Sequence, residues 1–346
     1  MSRMLEEIRQ QPATLERTLA GELRRVERLK ALFAKKKPRL IVLAARGTSD
    51  NAAQFGRYLL EITTGIPVSL AAPSISTIYE ARLDYRDTLV VGISQSGEST
   101  DSNRVLECAR EQGATTLGIT NEAGSSLAKL AEHVLFVRAG KEKSVAATKT
   151  YTGQVLMMYT LAYALGAKIR LDDLRRLPDL AAQSLKLEPA VATLSERYSY
   201  MRNAVVLGRG LNYSNAFEFA LKMMETCYVV AERFSSADFL HGPVAMVERA
   251  FPIFAFCPSG PTWKPMRQML EKVKALNAEA VIISDASNPE AFEFASRSIR
   301  LPRKIDELLT PIPYIIPGQL FAGYLAEQKG LDPDKPRTLS KVTLTM

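Results

Sequence analysis

Leu89-Val90-Val91-Gly92-Ile93 runs directly into Ser94-Gln95-Ser96-Gly97-Glu98-Ser99, and Val105, Leu106 and Ala109 follow at helical spacing. A short apolar run, a break of small hydroxyl residues around a glycine, and then an amphipathic pattern read as strand, turn and helix. Such a turn suits an anion. The first N–H groups of the helix and the serine hydroxyls converge on one point, and the helix dipole favours negative charge there. The stretch has no lysine and no G-x-x-x-x-G-K-[ST] pattern, so a nucleotide P-loop is excluded and a smaller phosphate ester fits better. The same residues also make an ordinary serine-capped turn, so the assignment depends on what surrounds them.

The chain repeats itself around this stretch. Leu40–Glu61 reads strand, Arg46-Gly47, helix, and Ala204–Glu225 reads strand, Arg209-Gly210, helix. Pro252–Cys257 and Pro258-Ser259-Gly260-Pro261 echo the opening stretch. The interval from Gly47 to Gly210 is identical to that from Gly97 to Gly260. Thr116–Thr120 and Ala280–Ser284 keep nearly the same offset. The pattern predicts a tandem duplication of one α/β unit. Strands alternating with helices predict, for each unit, a doubly wound, mostly parallel sheet flanked by helices, with ligands outside the carboxyl ends of the strands. The expected organisation is an N-terminal helical segment (1–34), a first unit with the anion loop (35–185), a second unit (186–330) and a proline-punctuated tail (331–346).

Composition narrows the class. The 346 residues are 47% hydrophobic and 24% charged, as in a globular protein of roughly two domains. No run is long and apolar enough to cross a membrane, and the N-terminus has no secretory pattern. Cys108, Cys227 and Cys257 are far apart, with neither metal-ligand nor disulfide spacing, so no metal or cofactor and a reducing, cytoplasmic setting are expected. Most of the net charge of +8 comes from residues 1–40, where eleven Lys/Arg face five Asp/Glu. These lie on a helical pattern with an apolar stripe (Leu15, Leu19, Leu23, Val26, Leu29, Leu32). Without interleaved aromatics they read as a solvated face, not a nucleic-acid surface.

Further elements carry chemistry. Gly47-Thr48-Ser49 opens a helix after a strand and is a second hydroxyl-bearing entrance, suited to sugar or phosphate oxygens or to simple capping. Ser144-Val145-Ala146-Ala147-Thr148-Lys149 precedes an apolar helix, and its small residues permit close backbone approach. Lys222 and Glu225 share a helix face. Among apolar neighbours such a carboxylate would be desolvated and suited to general acid–base work, although Glu218 four residues earlier offers Lys222 a plain ion pair. His241 sits in the turn Leu240-His241-Gly242-Pro243, whereas His133 reads as a packing residue beside a strand. Lys341 closes the tail, near enough to the end to be merely solvated or to supply charge or an imine. Together these would form a phosphate seat, a base, a proton shuttle and an amine, a set that fits aldose–ketose chemistry on a phosphosugar.

The elements Gly47-Thr48-Ser49, Ser94–Ser99, Ala146–Lys149, Ala220-Leu221-Lys222, Glu225, His241-Gly242-Pro243 and Pro336-Arg337 through Lys341 resemble, in order and spacing, the double sugar-isomerase (SIS) domain proteins. Members include the isomerase half of glutamine–fructose-6-phosphate aminotransferases and stand-alone glucosamine-6-phosphate deaminases. The resemblance implies two tandem SIS domains. It implies that Ser94, Gln95, Ser96, Gly97 and Ser99 bind the sugar phosphate with Gly47, Thr48 and Ser49 nearby, and that Val145, Ala146 and Ala147 line the sugar. It also implies that Glu225 moves a proton between C1 and C2 with Lys222 beside it. His241 would assist ring opening at the site of a neighbouring subunit, so a homodimer is implied, and Lys341 would close over the sugar.

Departures from the aminotransferase pattern favour the deaminase branch. The chain enters its first helix from Met1-Ser2-Arg3, with no cysteine before Cys108 and hence no expected glutaminase nucleophile. Ala147 replaces a serine, and Met224 replaces a lysine. The expected reaction is glucosamine-6-phosphate plus water to fructose-6-phosphate and ammonia. The alternatives are another amino-sugar phosphate, such as galactosamine-6-phosphate or a fructosyl-amino-acid phosphate, an isomerase like that of the glutamine–fructose-6-phosphate aminotransferases, and a non-catalytic phosphosugar sensor.

Overall fold

The computed structural model, which describes residues 2–341, has ten strands among those residues. β1 (Leu40–Ala44), β2 (Val68–Leu70), β3 (Thr88–Ser94), β4 (Thr115–Thr120) and β5 (His133–Phe136) form one sheet in the order β2-β1-β3-β4-β5. β6 (Asn203–Gly208), β7 (Val230–Ser235), β8 (Pro252–Phe256), β9 (Glu279–Asp285) and β10 (Arg297–Leu301) form a second in the order β10-β9-β8-β6-β7. Every pairing in both sheets is parallel. Every residue of β3 and of β9 is buried, which is why these runs do not alternate as a strand with one wet face does. The two sheets have the same order, repeat for repeat, so the duplication is structural. In each, the chain reverses direction across the sheet at one place, between β1 and β3 and between β6 and β8. That switch point is where an open parallel sheet leaves a crevice outside the carboxyl ends of its strands.

The chain divides into two compact units. One comprises Gln10–Lys143, Ala147–Pro178 and the segment from Leu339; the other comprises the first residues through Arg9, Ser144–Ala146 and Asp179–Thr338. In the first unit, Val42, Val90, Val105, Leu106 and Leu127 make a core on one face of the sheet. The Lys149–Ala164 helix is buried on nearly all sides, as its continuous apolar character requires. In the second unit, Ile253, Ala255, Met266, Leu270 and Ile282 pack together. Outside that cluster, Phe219, Phe254 and Phe321 meet edge to face, with ring centroids 5.0–5.8 Å apart, a geometry that suits the ring quadrupoles.

The N-terminal segment is two helices, Arg3–Arg9 and Gln11–Lys35. Pro12 explains the break, because a residue without an N–H fits the first turn of a helix and not its interior. The shorter helix belongs with the second repeat. Its Arg3 and Met4 N–H groups donate to the Asp334 carboxylate at 2.7 and 2.9 Å. The proline-punctuated tail thus caps a helix through Asp334, and its end, beyond Lys341, lies outside the described residues. On the longer helix, Leu15, Leu19, Val26 and Leu29 of the expected stripe are buried. Leu23 and Leu32 are half-buried, whereas Thr14, Thr18, Glu22 and Phe33 are buried. Glu22 tolerates burial because it accepts from Arg138 Nε at 2.6 Å and from the Phe136 N–H at 3.1 Å.

Candidate active site

In the first repeat, the pairing of Ala44 with Gly92 sets the loop after β1 beside the loop after β3. Gly47, Thr48 and Ser49 come from the former and Ser94–Ser99 from the latter. The second loop is held by a web of bonds. Ser94 Oγ accepts the Gly97 N–H at 3.1 Å and Ser96 Oγ the Glu98 N–H at 3.3 Å. A serine hydroxyl that accepts in this way still has its own O–H to donate, so both remain fit to bind a phosphate oxygen. The Gly97 carbonyl accepts from the Leu127 N–H at 3.0 Å and from Asn103 Nδ2 at 3.1 Å. Glu98 turns away and accepts from Ser126 N and Oγ at 3.0 and 2.6 Å, which holds its carboxyl below the usual carboxylate range.

Gly97 is required here. Its φ is +69°, and a Cβ would collide with the Ser125 side chain. Ser99 stands at the N-cap of the Thr100–Glu111 helix, yet its side chain does not cap that helix. It reaches Ser102 Oγ instead, at 3.2 Å. The helix entrance is therefore not closed by its own cap residue. The same holds for the Thr48–Thr64 helix, whose N-cap is Gly47 at φ +55°. Ser49 is buried and accepts from Gln154 Nε2 at 2.9 Å.

The sequence pattern marks Arg46 only as a repeat position and does not mark Asp50, Asp101, Glu142 or Gln154. Arg46 Nε and Nη2 lie 2.9 and 2.7 Å from Asp101 Oδ2, which ties the loop after β1 to the helix after β3. Asp50, half-buried on the first helical turn, has its carboxyl raised by burial against the pull of Arg46. The one available signal was Arg46 itself, repeated as Arg209 beside each switch-point glycine.

The segment before the long buried helix divides. Val145 is half-buried and Ala146 buried, in the unit of the second repeat; Ala147 is half-buried and belongs with the first. Glu142 Oε1 accepts from Thr148 N at 2.9 Å and Thr150 N at 3.1 Å, and its Oε2 accepts from Thr150 Oγ1 at 2.6 Å. Lys341 Nζ stands 3.0 Å from the same Oε2. Burial pushes this carboxyl up, but the charge of Lys341 and the threonine donors outweigh burial and hold it below the usual range. Lys341 is thus drawn into the unit of the anion loop.

In the second repeat, the helix expected from about Asn215 begins at Tyr213, after a tight turn at Gly210–Asn212. Lys222 Nζ lies 2.6 Å from Glu225 Oε2 and 3.4 Å from Glu218 Oε1, so both expected partners are present. Burial falls differently from expectation. Lys222 and Glu218 are wholly buried, whereas the Glu225 side chain is 23% exposed. Glu225 sits on the last two turns of a helix whose inward face is already filled by Phe219 and Met223. His241 is exposed in the turn after the Ser236–Leu240 helix, with its N–H on the Asp238 carbonyl at 3.1 Å. His133 lies within β5, opposite Leu117.

A duplicated parallel α/β chain with a hydroxyl-rich loop at one switch point, and a lysine-anchored carboxylate in its other repeat, is the class that this geometry defines. The chain matches the SIS domain over residues 32–164 and 198–326, and it belongs to that family. It is 36% identical over 345 residues to a glutamine–fructose-6-phosphate aminotransferase of Pyrococcus horikoshii, covering 98% of this chain and 57% of that protein. It therefore spans a little over half the length of that relative. The C-terminal domain of a glucosamine–fructose-6-phosphate aminotransferase from Francisella tularensis superposes with a TM-score of 0.88 at 29% identity, covering 97% of this chain and 98% of that one. A glucosamine-6-phosphate deaminase from Thermotoga maritima superposes with a TM-score of 0.76 at 21% identity, covering 99% and 100%, and shares the fold.

Proposed function

We propose that the chain is a phosphosugar aldose–ketose isomerase whose net reaction is a deamination, glucosamine-6-phosphate plus water giving fructose-6-phosphate plus ammonia. The observation that carries the reading is the Lys222–Glu225 pair, a partly exposed carboxylate 2.6 Å from a wholly buried ammonium. The buried cation fixes the carboxylate in place and leaves it open to a substrate proton. The loop Ser94, Gln95, Ser96, Gly97, Ser99 takes the 6-phosphate on N–H and hydroxyl donors, with Gly47, Thr48 and Ser49 beside it. His241 assists opening of the sugar ring. Glu225 then removes the C2 proton and delivers it to C1. The amine gives up a proton as O1 takes one up, so that the C1 carbonyl becomes an alcohol and the double bond moves to C2 as a ketimine. Water adds at C2, ammonia leaves, and the C2 ketone remains. Lys341 covers the sugar, and the small residues Val145, Ala146 and Ala147 admit it closely. Exposed Leu240 and Met246 flank His241, which supports a homodimer in which this turn serves the partner's site.

The names of the relatives favour a second reading, in which the same proton transfer runs toward amination of fructose-6-phosphate. The experiment is ammonia release by the purified chain from a panel of glucosamine-6-phosphate, galactosamine-6-phosphate and a fructosyl-amino-acid phosphate. Release from glucosamine-6-phosphate supports the proposal. Release only from another member reassigns the substrate. Solvent proton exchange at C1 of fructose-6-phosphate, with no ammonia release from any member of the panel, favours the second reading.

A further inference from the structure

The second repeat also has a switch point, and it is filled. Thr262 opens the Trp263–Ala275 helix where Ser99 opens the Thr100–Glu111 helix in the first repeat, at the same interval that separates Gly97 from Gly260. Thr262 Oγ1 donates to Glu307 Oε1 at 2.6 Å, and the Thr262 N–H is directed to the same carboxylate. The other oxygen, Glu307 Oε2, is buried without a hydrogen-bond partner. A Cβ on Gly260 would collide with it, and a Cβ on Gly210 would lie 3.9 Å from Glu307 Oε1. The carboxylate therefore sits between the loop after β6 and the loop after β8, on donors at the start of a 13-residue helix. That is the position an anionic ligand takes in a fold of this kind.

The glycines that make room are kept in both repeats, at φ +55° and +57° for Gly47 and Gly210, and both Gly97 and Gly260 have positive φ. What differs is the segment leading into the long buried helix. The first repeat has small residues, Ser144-Val145-Ala146-Ala147. The second has Asp306-Glu307-Leu308-Leu309, with Glu307 following Ser144 at that same repeat interval. Asp306 caps the turn by accepting the Leu308 N–H at 2.9 Å. Pro258 and Pro261 meanwhile remove two N–H donors that the first loop has.

We infer that the second repeat retains an anion seat and occupies it with the chain's own Glu307 carboxylate, so that each chain offers one phosphate seat and not two. The inference rests on the reading that Ser94–Ser99 is the open seat. Its ligand class, once Glu307 is removed, is a phosphate or a phosphate monoester.

The test is equilibrium dialysis of the full chain against labelled inorganic phosphate, for wild type, Glu307→Ala, Ser96→Asp and the double variant. Ser96→Asp places a carboxylate in the first seat and blocks it by the same logic. Wild type is expected to bind one phosphate per chain, Ser96→Asp none, Glu307→Ala two and the double variant one. The second seat should be roughly tenfold weaker for want of its two proline-deleted donors. Glu307→Ser serves if the alanine variant does not fold, and the isosteric Glu307→Gln is expected to bind no more than wild type. Equal stoichiometry in wild type and the folded Glu307→Ala or Glu307→Ser variant overturns the inference, as does a wild type that binds two. A wild type that binds none while Glu307→Ala binds one upholds the occupied seat and overturns the reading of Ser94–Ser99.

Discussion

Gly97→Ala measures how closely stability and anion binding are joined in the Ser94–Ser99 loop. At φ +69° an alanine costs about 1–2 kcal/mol on backbone grounds alone. Its Cβ would also enter the space of Ser125, whose hydroxyl accepts the Ala128 N–H at 3.3 Å and caps the Ser126–Leu130 helix. Displacing that cap adds about 1 kcal/mol. The expected total is about 2–3 kcal/mol. Gly113→Ala is the control, because Gly113 has φ +84° with nothing within 4 Å of a Cβ. It bears only the backbone part, about 1–2 kcal/mol. Urea denaturation gives both numbers. The loop N–H groups around residue 97 are also to bind phosphate, and losing one charge-assisted bond is worth about 1.5–3 kcal/mol. The Kd for a phosphosugar should therefore rise about tenfold or more in Gly97→Ala and stay unchanged in Gly113→Ala. Equal stability loss and equal affinity in the two variants would refute the reasoning.

Other consequences follow from the same geometry. Arg46→Ala frees the loop after β1 from Asp101 and should weaken phosphosugar binding about tenfold, read by calorimetry. Asp334→Ala removes the acceptor of two N–H groups at the start of the Arg3–Arg9 helix and should lower stability by about 1–2 kcal/mol in urea. The Glu142 carboxyl is held low in the folded chain. Its contribution is therefore present above the unfolded carboxylate range and is lost as pH falls through the folded value. Lys341→Met removes the largest stabilising charge, so melting scans from neutral to acid pH should show stability falling at a higher pH in the variant than in wild type.

The architecture was legible because both repeats carry the same punctuation. Buried parallel strands write themselves as unbroken apolar runs, and Gly47, Gly97, Gly210 and Gly260 mark the turns at one spacing. The loop residues Ser94–Ser99 and the Lys222–Glu225 pair were legible for the same reason, since short-range spacing decides both. What was not legible depends on long-range approach. Nothing near Glu142 announces that Lys341, from the far end of the chain, will neutralise it. Asp101 reads as a first-turn acid until Arg46 is brought to it across the β1–β3 pairing. Glu22 is buried within the apolar stripe of its helix because Arg138 meets it. Glu307 looks like any acidic turn residue until Thr262 and Gly260 are seen around it. Each is a polar group whose partner is set by topology, and local pattern carries no record of topology.

The most direct test of the account is turnover by Glu225→Gln beside wild type, followed by 31P and 13C nuclear magnetic resonance with glucosamine-6-phosphate. The account predicts that wild type yields fructose-6-phosphate and ammonium. It predicts that Glu225→Gln binds the same phosphosugar with unchanged Kd but turns it over about a hundred- to ten-thousand-fold more slowly, the range over which a general acid–base contributes. Turnover by Glu225→Gln at the wild-type rate would contradict it.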